Sequence, residues 1–283
     1  MQLMSLPQRQ LHCGRFQLDL SQPQIMGILN VTPDSFSDGG QHLHKEQAIQ
    51  HALQMIEQGA SLIDIGGEST RPNASVVSVE EEMRRVIPVV EALAQYDVIM
   101  SIDTSQPQVM RAAVVAGAHI WNDVRALTRP QALETAAALN IPVVLMHMRG
   151  EPSTMNQLDQ YTDVTADVMT ELQQRLDQAI AVGVKPDNII IDPGFGFAKN
   201  SSQNFQLLNE FWKLNQLGYP ILSGLSRKRF IGDALNGVAA QERGVGSAVG
   251  HLLSIQQGAS IVRAHDIKAT DDAIKMWKMM NAH

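Results

Sequence analysis

The stretch Asn188-Ile-Ile-Ile-Asp192 decides the fold class of this chain, because its centre is continuously apolar and it ends on a carboxylate. A strand that is apolar at every position is expected where helices cover both faces of a parallel sheet. Seven further short segments, several of them also continuously apolar, bring the number of predicted strands to eight. They are Gln24–Asn30, Leu62–Gly66, Val98–Asp103, His119–Asp123, Pro142–His147, Ile221–Gly224 and Ser260–Ala264.

Longer amphipathic segments separate the predicted strands and are typical of helices. Glycine follows several of them, where a left-handed helix end favours it. About eight strand–helix repeats favour a closed (β/α)8 barrel, with residues 1–283 as a single domain. A doubly wound open sheet remains the alternative, because sequence cannot show closure. The predicted helices include Lys45–Gln58, Val79–Ala94, Pro107–Ala116, Thr162–Val182 and Phe205–Leu217.

Composition limits the classes of protein to be considered. No stretch approaches the roughly 20 apolar residues that a membrane helix needs. The N-terminal segment lacks the apolar run of a secretory signal, and the single cysteine fits a reduced, cytoplasmic setting. Cys13 is the only cysteine, so an internal disulfide and a cysteine-based zinc site are excluded. The net charge of −7, with both signs interspersed, argues against a nucleic-acid partner.

Polar residues of several chemical types follow nearly every predicted strand. Strand ends that meet water are polar in any protein, but this set mixes carboxylates, amides, lysine and arginine. In a barrel these ends converge on one face, where such enzymes place their chemistry. The set therefore predicts a site at that face. Its members are Asn30, Glu68, Thr70, Arg71, Asp103, Asn122, Asp123, His147, Asp192, Ser226, Arg227, Lys228, Arg263 and His265.

Two connections after strands are unusually long and rich in glycine, proline and serine. They are Asn30–Gly40 and Gly66–Asn73. Long polar loops over the catalytic face of a barrel are typical of lids. Phe36 within the first loop would gain nothing from exposure in an inert loop. We therefore expect both loops to contribute to the site.

Six segments together resemble the signature sequences of the dihydropteroate synthases, in the same order along the chain. They are MGILNVTPDSFSDGG (26–40), DIGGESTRP (64–72), SIDTSQP (101–107), IDPGFGFAKN (191–200), GLSRK (224–228) and VRAHD (262–266). The resemblance spans about Gln24 to Asp266. It implies a (β/α)8 barrel, usually dimeric and dependent on Mg²⁺. It also implies a transferase that joins a dihydropterin diphosphate to 4-aminobenzoate in folate synthesis and that sulfonamides inhibit.

The same resemblance assigns a pterin site. Asp192 suits the amino group and N3 of the ring, and Asn122, which can both donate and accept, suits the edge that carries N1 and the amino group. Asp103 can accept the N8 proton, and Lys228 can donate to O4 and N5. Without the motifs, either aspartate could simply cap a helix, and Lys228 would be a surface cation. Further residues expected to contact the pterin substrate are Thr70, Arg263, Ala264 and His265.

The diphosphate must be held by side chains and helix N-termini, because the chain has no Gly-x-x-x-x-Gly-Lys-Ser/Thr phosphate loop. Arg263 and His265 are the natural anion site, and Arg71 is expected to assist them. Asp103 completes the predicted catalytic set. By resemblance, Asn30 is the position associated with Mg²⁺, for which an oxygen ligand is suitable. The residues implied for 4-aminobenzoate are Phe36, Thr70, Pro72, Ser226 and Arg227.

Small departures and two rival functions complete the expectations. Asn73 replaces a common glycine, and Arg229 adds charge beside the expected aminobenzoate entrance. A barrel that transfers a methyl group from methyltetrahydrofolate to a corrinoid protein would share the pterin site but not the diphosphate or SRK features. A silent pterin-binding paralogue would be expected to lack a lid or anion residue. His147 receives no role, and His42, His44 and His51 are expected at the surface.

Overall fold

The computed structural model of the protein describes residues 10–31, 41–68 and 77–281. A hairpin of β1 (Gln10–Cys13) and β2 (Phe16–Asp19) precedes eight parallel strands that close into a barrel. Closure confirms the predicted fold and excludes the open sheet. The barrel strands are β3 (Gln24–Asn30), β4 (Leu62–Gly66), β5 (Ile99–Asp103), β6 (Ile120–Asp123), β7 (Val143–Met146), β8 (Ile189–Asp192), β9 (Ile221–Ser223) and β10 (Ala259–Ala264).

Helices follow the barrel strands and form the outer shell. They are α1 (Gln41–Glu57), α2 (Val79–Leu93), α3 (Pro107–Ala116), α4 (Ala132–Leu139), α5 (Val164–Val182), α6 (Ser201–Asn209), α7 (Arg229–Ala234), α8 (Gly244–Gln256) and α9 (Ile267–Asn281). The predicted glycine at the end of α3 is confirmed, since Gly117 has a left-handed φ of 116°. No helix in the described ranges combines the length and apolarity that crossing a membrane requires.

The predicted helix Phe205–Leu217 is wrong. The helix α6 begins at Ser201, where the side chains of Asn200 and Gln203 form a reciprocal capping box. It ends at Asn209, and a 3-10 helix continues from Phe211 to Leu217. Phe211 and Leu214 are three residues apart and fully buried, a spacing that suits the three-residue turn of a 3-10 helix.

The N-terminal end of the barrel is filled by apolar side chains, one from every barrel strand. We call this set the lower layer: Met26, Leu62, Ile99, Ile120, Val144, Ile190, Leu222 and Ile261. The hairpin was not predicted from the sequence; Leu11, Cys13 and Leu18 of the hairpin, and Leu20 just after it, pack against the lower layer. The hairpin therefore plugs this end of the barrel.

The interior changes character two residues further along each strand. Side chains two apart share a face of a strand, so these positions also point into the barrel. We call this set the upper layer: Ile28, Asp64, Ser101, Asn122, Met146, Asp192, Gly224 and Arg263. Alternate residues such as Ile63, Trp121 and Leu145 instead face the helices in a separate apolar core.

Candidate active site

Four of the residues predicted for the site are brought together at the C-terminal end of the barrel. Asn122, Asp192 and Arg263 lie in the upper layer, and Asp103 ends β5 directly beside Asn122 in the register of the sheet. Asp103, Asn122 and Asp192 are each less than 10% exposed. The barrel therefore concentrates charged and amide groups in a largely dry space.

Asp64 is the hub of this arrangement, and it was not among the residues predicted from the sequence. Its carboxylate is completely buried. Oδ2 of Asp64 accepts hydrogen bonds from Nδ2 of Asn122 at 2.9 Å and from Nε of Arg263 at 2.6 Å. The available signal was a lone carboxylate in the middle of the apolar strand LIDIG.

Arg263 connects two carboxylates that belong to neighbouring strands. Besides its bond to Asp64, it donates from Nη2 to Oδ2 of Asp103 at 2.8 Å. Burial alone would lower the pKa of Arg263, but the charges of Asp64 and Asp103 raise it above its ordinary value. Burial raises the pKa of Asp103 to about 7, although Arg263 acts in the opposite direction. The site thus contains a permanent cation and a carboxylate that titrates near neutrality.

The loop after β8 is held from the inside by Asp192. Oδ1 of Asp192 accepts the backbone N–H of Gly194 at 2.7 Å, and Gly194 has a φ of 68°. The ammonium of Lys228 donates to the carbonyl of Phe195. It also lies 4.3 Å from the ring centroid of Phe197. These contacts explain the glycine, since only a residue without a side chain turns easily in this way.

Asp192 is buried and Lys228 is half-buried, and each shifts the pKa of the other. Burial raises the pKa of Asp192, with Lys228 opposing that shift. Burial also lowers the pKa of Lys228 to about 7, and Asp192 opposes this change in turn. Two groups of opposite charge are therefore available next to the turn of the loop. Such a pair can recognise a ring that carries donors on one edge and acceptors on another.

A second set of contacts supports the same loop from beneath and was not predicted. The ammonium of Lys199 donates to the carbonyls of Gly194 and Phe197, both at 3.0 Å, and to Nδ1 of His147 at 2.9 Å. Nε2 of His147 donates to Glu171 of α5 at 3.0 Å. Burial, followed by the charge of Lys199, lowers the pKa of His147 to about 4. His147 thus connects α5 to the loop as a neutral ring.

Ser226 and His265 meet at the ends of β9 and β10. The hydroxyl of Ser226 accepts the backbone N–H of His265 at 3.1 Å and lies 3.0 Å from its Nδ1. Arg227 has a φ of 56°, and its guanidinium is paired with Asp266 through bonds of 2.9 and 2.5 Å. Ala264 is buried on the opposite face of β10, in the outer core.

Two of the polar residues at strand ends stabilise the connecting loops through hydrogen bonds and ion pairs. The carboxylate of Asp123 accepts backbone N–H groups of Arg125 and Leu127, at 2.9 and 2.8 Å. Glu68 lies 3.3 Å from the buried guanidinium of Arg125, which also pairs with Glu151 at 2.7 Å. These contacts shape the chain beside the pocket without entering it.

The remaining predictions fall at the edge of the described chain or beyond it. Asn30 ends β3 and is half-buried. The predicted loops Asn30–Gly40 and Gly66–Asn73 lie largely outside the described residues, as does Asn73. Arg229 is 91% exposed and only 3.8 Å from Asp233, one turn along α7. The site residues outside the described ranges are Phe36, Thr70, Arg71 and Pro72.

Comparison with known proteins gives a consistent result over nearly the whole chain. The sequence pattern of the family described as pterin binding enzyme matches residues 26–265. Dihydropteroate synthase of Haemophilus influenzae is 49% identical over 269 residues, which cover 95% of this chain and 98% of that relative.

Solved structures agree with the sequence comparison. Dihydropteroate synthase of Xanthomonas albilineans, solved with 4-aminobenzoic acid, is similar with a TM-score of 0.93 and 49% identity. The match covers 98% of this chain and 99% of that one. The Yersinia pestis enzyme, solved as a sulfonamide drug complex, has a TM-score of 0.92 and 47% identity, with 97% and 100% of the two chains covered.

Proposed function

This chain belongs to the family of pterin-binding enzymes and catalyses the dihydropteroate synthase reaction; we propose that its pterin substrate is the 7,8-dihydropterin-6-ylmethyl diphosphate. The second substrate is 4-aminobenzoate, and the products are 7,8-dihydropteroate and diphosphate. One observation carries the assignment of the site: Arg263, Asp103, Asp64 and Asn122 form a continuous hydrogen-bonded group inside the barrel mouth.

Recognition of the pterin is assigned to the buried polar groups of the barrel. Asp192 accepts from the amino group and N3, while Asn122 serves the edge that carries N1 and the amino group. Asp103 accepts from N8, and Lys228 donates to O4 and N5. Because an unmatched buried polar group costs about 1–3 kcal/mol, this complementary set favours a pterin over other flat rings of similar size.

Binding of the diphosphate leaving group is assigned to cationic side chains around the end of β10. Arg263 and His265 bind the diphosphate, with Arg71 assisting and Thr70 beside the substrate; Ala264, whose side chain packs in the outer core, can contribute only its backbone. The pair of carboxylates on Arg263 keeps it charged, which suits the stabilisation of a departing anion. Mg²⁺, when bound, supplies additional positive charge to the diphosphate oxygens.

The donor set of the chain fits Mg²⁺ bound mainly through its substrate. No group of three or more His, Cys, Asp or Glu side chains in the described ranges could hold a metal ion. Asn30 offers one amide oxygen at the end of β3, which suits a cation that takes few protein ligands and binds phosphate oxygens. Asn30 is therefore the proposed protein ligand.

The reaction needs no strong base. The bond between the exocyclic methylene carbon and the diphosphate oxygen breaks, and both electrons leave with diphosphate. Electron donation from the dihydropterin ring stabilises the carbon cation, and Asp103 and Asp192 help the ring carry that charge. The aromatic amine of 4-aminobenzoate then forms the new carbon–nitrogen bond and releases a proton to solvent.

The 4-aminobenzoate pocket is assigned to Phe36, Thr70, Pro72, Ser226 and Arg227. Of these, Ser226 and Arg227 have defined positions, and Asp266 fixes the guanidinium of Arg227 with two hydrogen bonds. The similar enzymes solved with 4-aminobenzoic acid and with a sulfonamide drug support this pocket and predict that sulfonamides compete there.

Product formation tests the function, and one substitution tests the site. The protein should release diphosphate and form dihydropteroate only when 4-aminobenzoate is present. Diphosphate release that does not depend on 4-aminobenzoate would contradict the proposal. The methyltransferase and the silent pterin-binding paralogue would then be the alternatives to test. Asp192→Asn should weaken dihydropterin binding by about 2–4 kcal/mol, because it places a donor against donors. Asp187→Asn is the matched control, because Asp187 is exposed and lies just before the start of β8, which Asp192 ends.

A homodimer is proposed on the face formed by the adjacent helices α8 and α9. Three apolar residues form a stripe on α8 at four-residue spacing: Val245, Val249 and Leu253, which are 78%, 51% and 42% exposed. Three further apolar residues, Met276, Met279 and Met280, are exposed on α9, which packs against α8. Contiguous exposed apolar surface is typical of protein interfaces. Val249→Glu should shift sedimentation equilibrium toward monomer, whereas Val115→Glu, on exposed α3, should not.

We further propose that residues 1–283 form one domain and that the protein acts in the cytoplasm. The packing of the hairpin against the lower layer supports a single cooperative unit. The single cysteine, Cys13, is compatible with a reducing compartment. One thermal transition for the whole chain, and recovery of the protein with the cytoplasmic fraction of its cells, are the expected results.

A further inference from the structure

We propose that Asp64 is a positioning residue that sets substrate specificity by fixing both the amide of Asn122 and the guanidinium of Arg263. Asp64 accepts from both residues through the same oxygen, Oδ2, at 2.9 and 2.6 Å. The inference rests on the proposed site, because it explains how two residues of that site are oriented. Asp64 itself binds no substrate in this scheme.

The bond to Asp64 determines which end of the Asn122 amide serves the ligand. An ionised carboxylate can only accept, so the amide group that faces it must be the nitrogen. Reversing the amide would bring its oxygen against Oδ2, which is repulsive. The amide oxygen of Asn122 is therefore the atom held ready for a donor on the ligand. This selects a ring edge that carries an amino group over one that carries only acceptors.

The second bond immobilises Arg263 before any anion arrives. Asp64 takes Nε and Asp103 takes Nη2, so two neighbouring strands grip the guanidinium at two points. These bonds use two of the five N–H donors of the side chain. An arginine already held in place loses less conformational freedom when it binds diphosphate. One carboxylate therefore organises the pterin site and the anion site together.

The burial of Asp64 argues against a role in filling space alone. Its relative exposure is 0%, and a buried carboxylate is unfavourable unless it is paired and hydrogen-bonded. Leu62 fills the barrel two residues earlier on the same strand without that cost. An apolar residue at position 64 could fill space equally well. What it could not do is accept from both Asn122 and Arg263.

A double-mutant cycle tests the positioning role. Asp64→Ala should weaken binding of 6-hydroxymethylpterin about tenfold, the effect of one buried hydrogen bond. In an Asn122→Ala background, the same change should have almost no further effect on that ligand. A second cycle uses inorganic diphosphate as the ligand and Arg263→Ala as the background. Asp64→Ala should weaken diphosphate binding in the otherwise wild-type protein and have almost no further effect once Arg263 is removed. The matched control is Ser101→Ala, which removes a buried hydroxyl at the neighbouring register position.

The outcomes separate the inference from the proposed function. If wild-type protein forms no dihydropteroate, the proposed function fails. If it does, but Asp64→Ala is additive with both backgrounds or no worse than Ser101→Ala, the positioning role is overturned and the function stands. Calorimetry on each variant, with circular dichroism to verify folding, gives these results directly.

Asp64→Asn provides a second measurement if Asp64→Ala does not fold. It keeps an acceptor oxygen, so it should retain most of the pterin affinity. It also removes one negative charge near Asp103. The pKa of Asp103 responds to the charges around it, which are those of Arg263 from β10, Asp64 from β4, Glu82 from α2 and Glu68 after β4. The acid limb of kcat/KM should therefore move to lower pH. An unshifted limb together with tenfold weaker pterin binding would contradict the inference.

Discussion

The lower and upper layers of the barrel interior lie on the same strands, two residues apart, and yet they obey different rules. The lower layer is apolar in all eight strands and is completed by the hairpin. The upper layer contains Asp64, Asn122, Asp192 and Arg263, which hydrogen bonds and charge hold together. One level of the barrel is stabilised by removal of apolar surface from water. The other depends on hydrogen bonds and ion pairs between its polar groups, although Oδ1 of Asp64 and the hydroxyl of Ser101 have no hydrogen-bond partner among the described residues.

The largest effect should come from removing the cation of the upper layer. Arg263→Leu leaves Asp64 and Asp103 without their shared partner, so unfolding free energy should fall by about 3–5 kcal/mol and activity should be lost. Urea denaturation measures the first effect. Arg15→Leu is the control, because the Arg15–Asp97 pair is largely exposed and should contribute less than about 1 kcal/mol. Equal losses in the two variants would contradict the distinction between the layers.

A deletion in the lower layer should separate stability from activity. Leu222→Ala creates a cavity beside the hairpin plug and should cost about 2–4 kcal/mol of unfolding free energy. The folded fraction should nevertheless retain its kcat, since no polar group of the site is changed. Active-site titration combined with urea denaturation measures both quantities. A large loss of kcat in fully folded protein would show that the two layers are coupled.

A smaller effect on the free energy of unfolding is expected from replacing His147, which supports the loop after β8. The pKa of His147 is about 4 in the folded protein and 6.5 ordinarily. The unfolded chain therefore takes up the proton first, and stability from the neutral ring is lost as pH falls from 6.5 toward 4. His147→Gln should flatten this dependence by on the order of 2 kcal/mol between pH 7 and 5. His12→Gln, at an exposed position of the hairpin, is the control; an unchanged slope would disprove the role.

The smallest effect is expected outside both layers. Arg229 is 91% exposed, and its nearest carboxylate, Asp233, is 3.8 Å away. Arg229→Ala should change the unfolding free energy by less than about 0.5 kcal/mol. Any charge effect on 4-aminobenzoate should appear only in its KM and should diminish with salt. A salt-independent change in KM would indicate direct contact instead.

Much of the fold could be predicted because its signal is local and repeated. All eight barrel strands were found, including NIIID and PVVLMH, since covered parallel strands are apolar throughout. The hairpin was missed because Gln10–Cys13 and Phe16–Asp19 are too short to show a strong period. The helix Phe205–Leu217 was misjudged because its apolar spacing continues across the change from an α-helix to a 3-10 helix.

The site was predictable where polar residues follow strands, and less so elsewhere. Asp103, Asn122, Asp192 and Arg263 came from their positions at strand ends, and the barrel brings them together. Asp64 lies in the middle of a strand, and Lys199 and Glu171 lie in a loop and a helix. Their roles depend on partners far away in sequence, such as Arg263 for Asp64. No local pattern specifies such partners, and only the closed barrel does.

Closure of the barrel also determines when during folding the site comes into existence. The first and last barrel strands pair with each other, with Arg263 of β10 opposite Met26 of β3. Arg263 reaches Asp64 across 199 residues and Asp103 across 160. Contacts of such long range form slowly, since a large loop must close first. A chain still leaving the ribosome without β10 has no anion site, so tight binding of substrate reports a completely folded molecule.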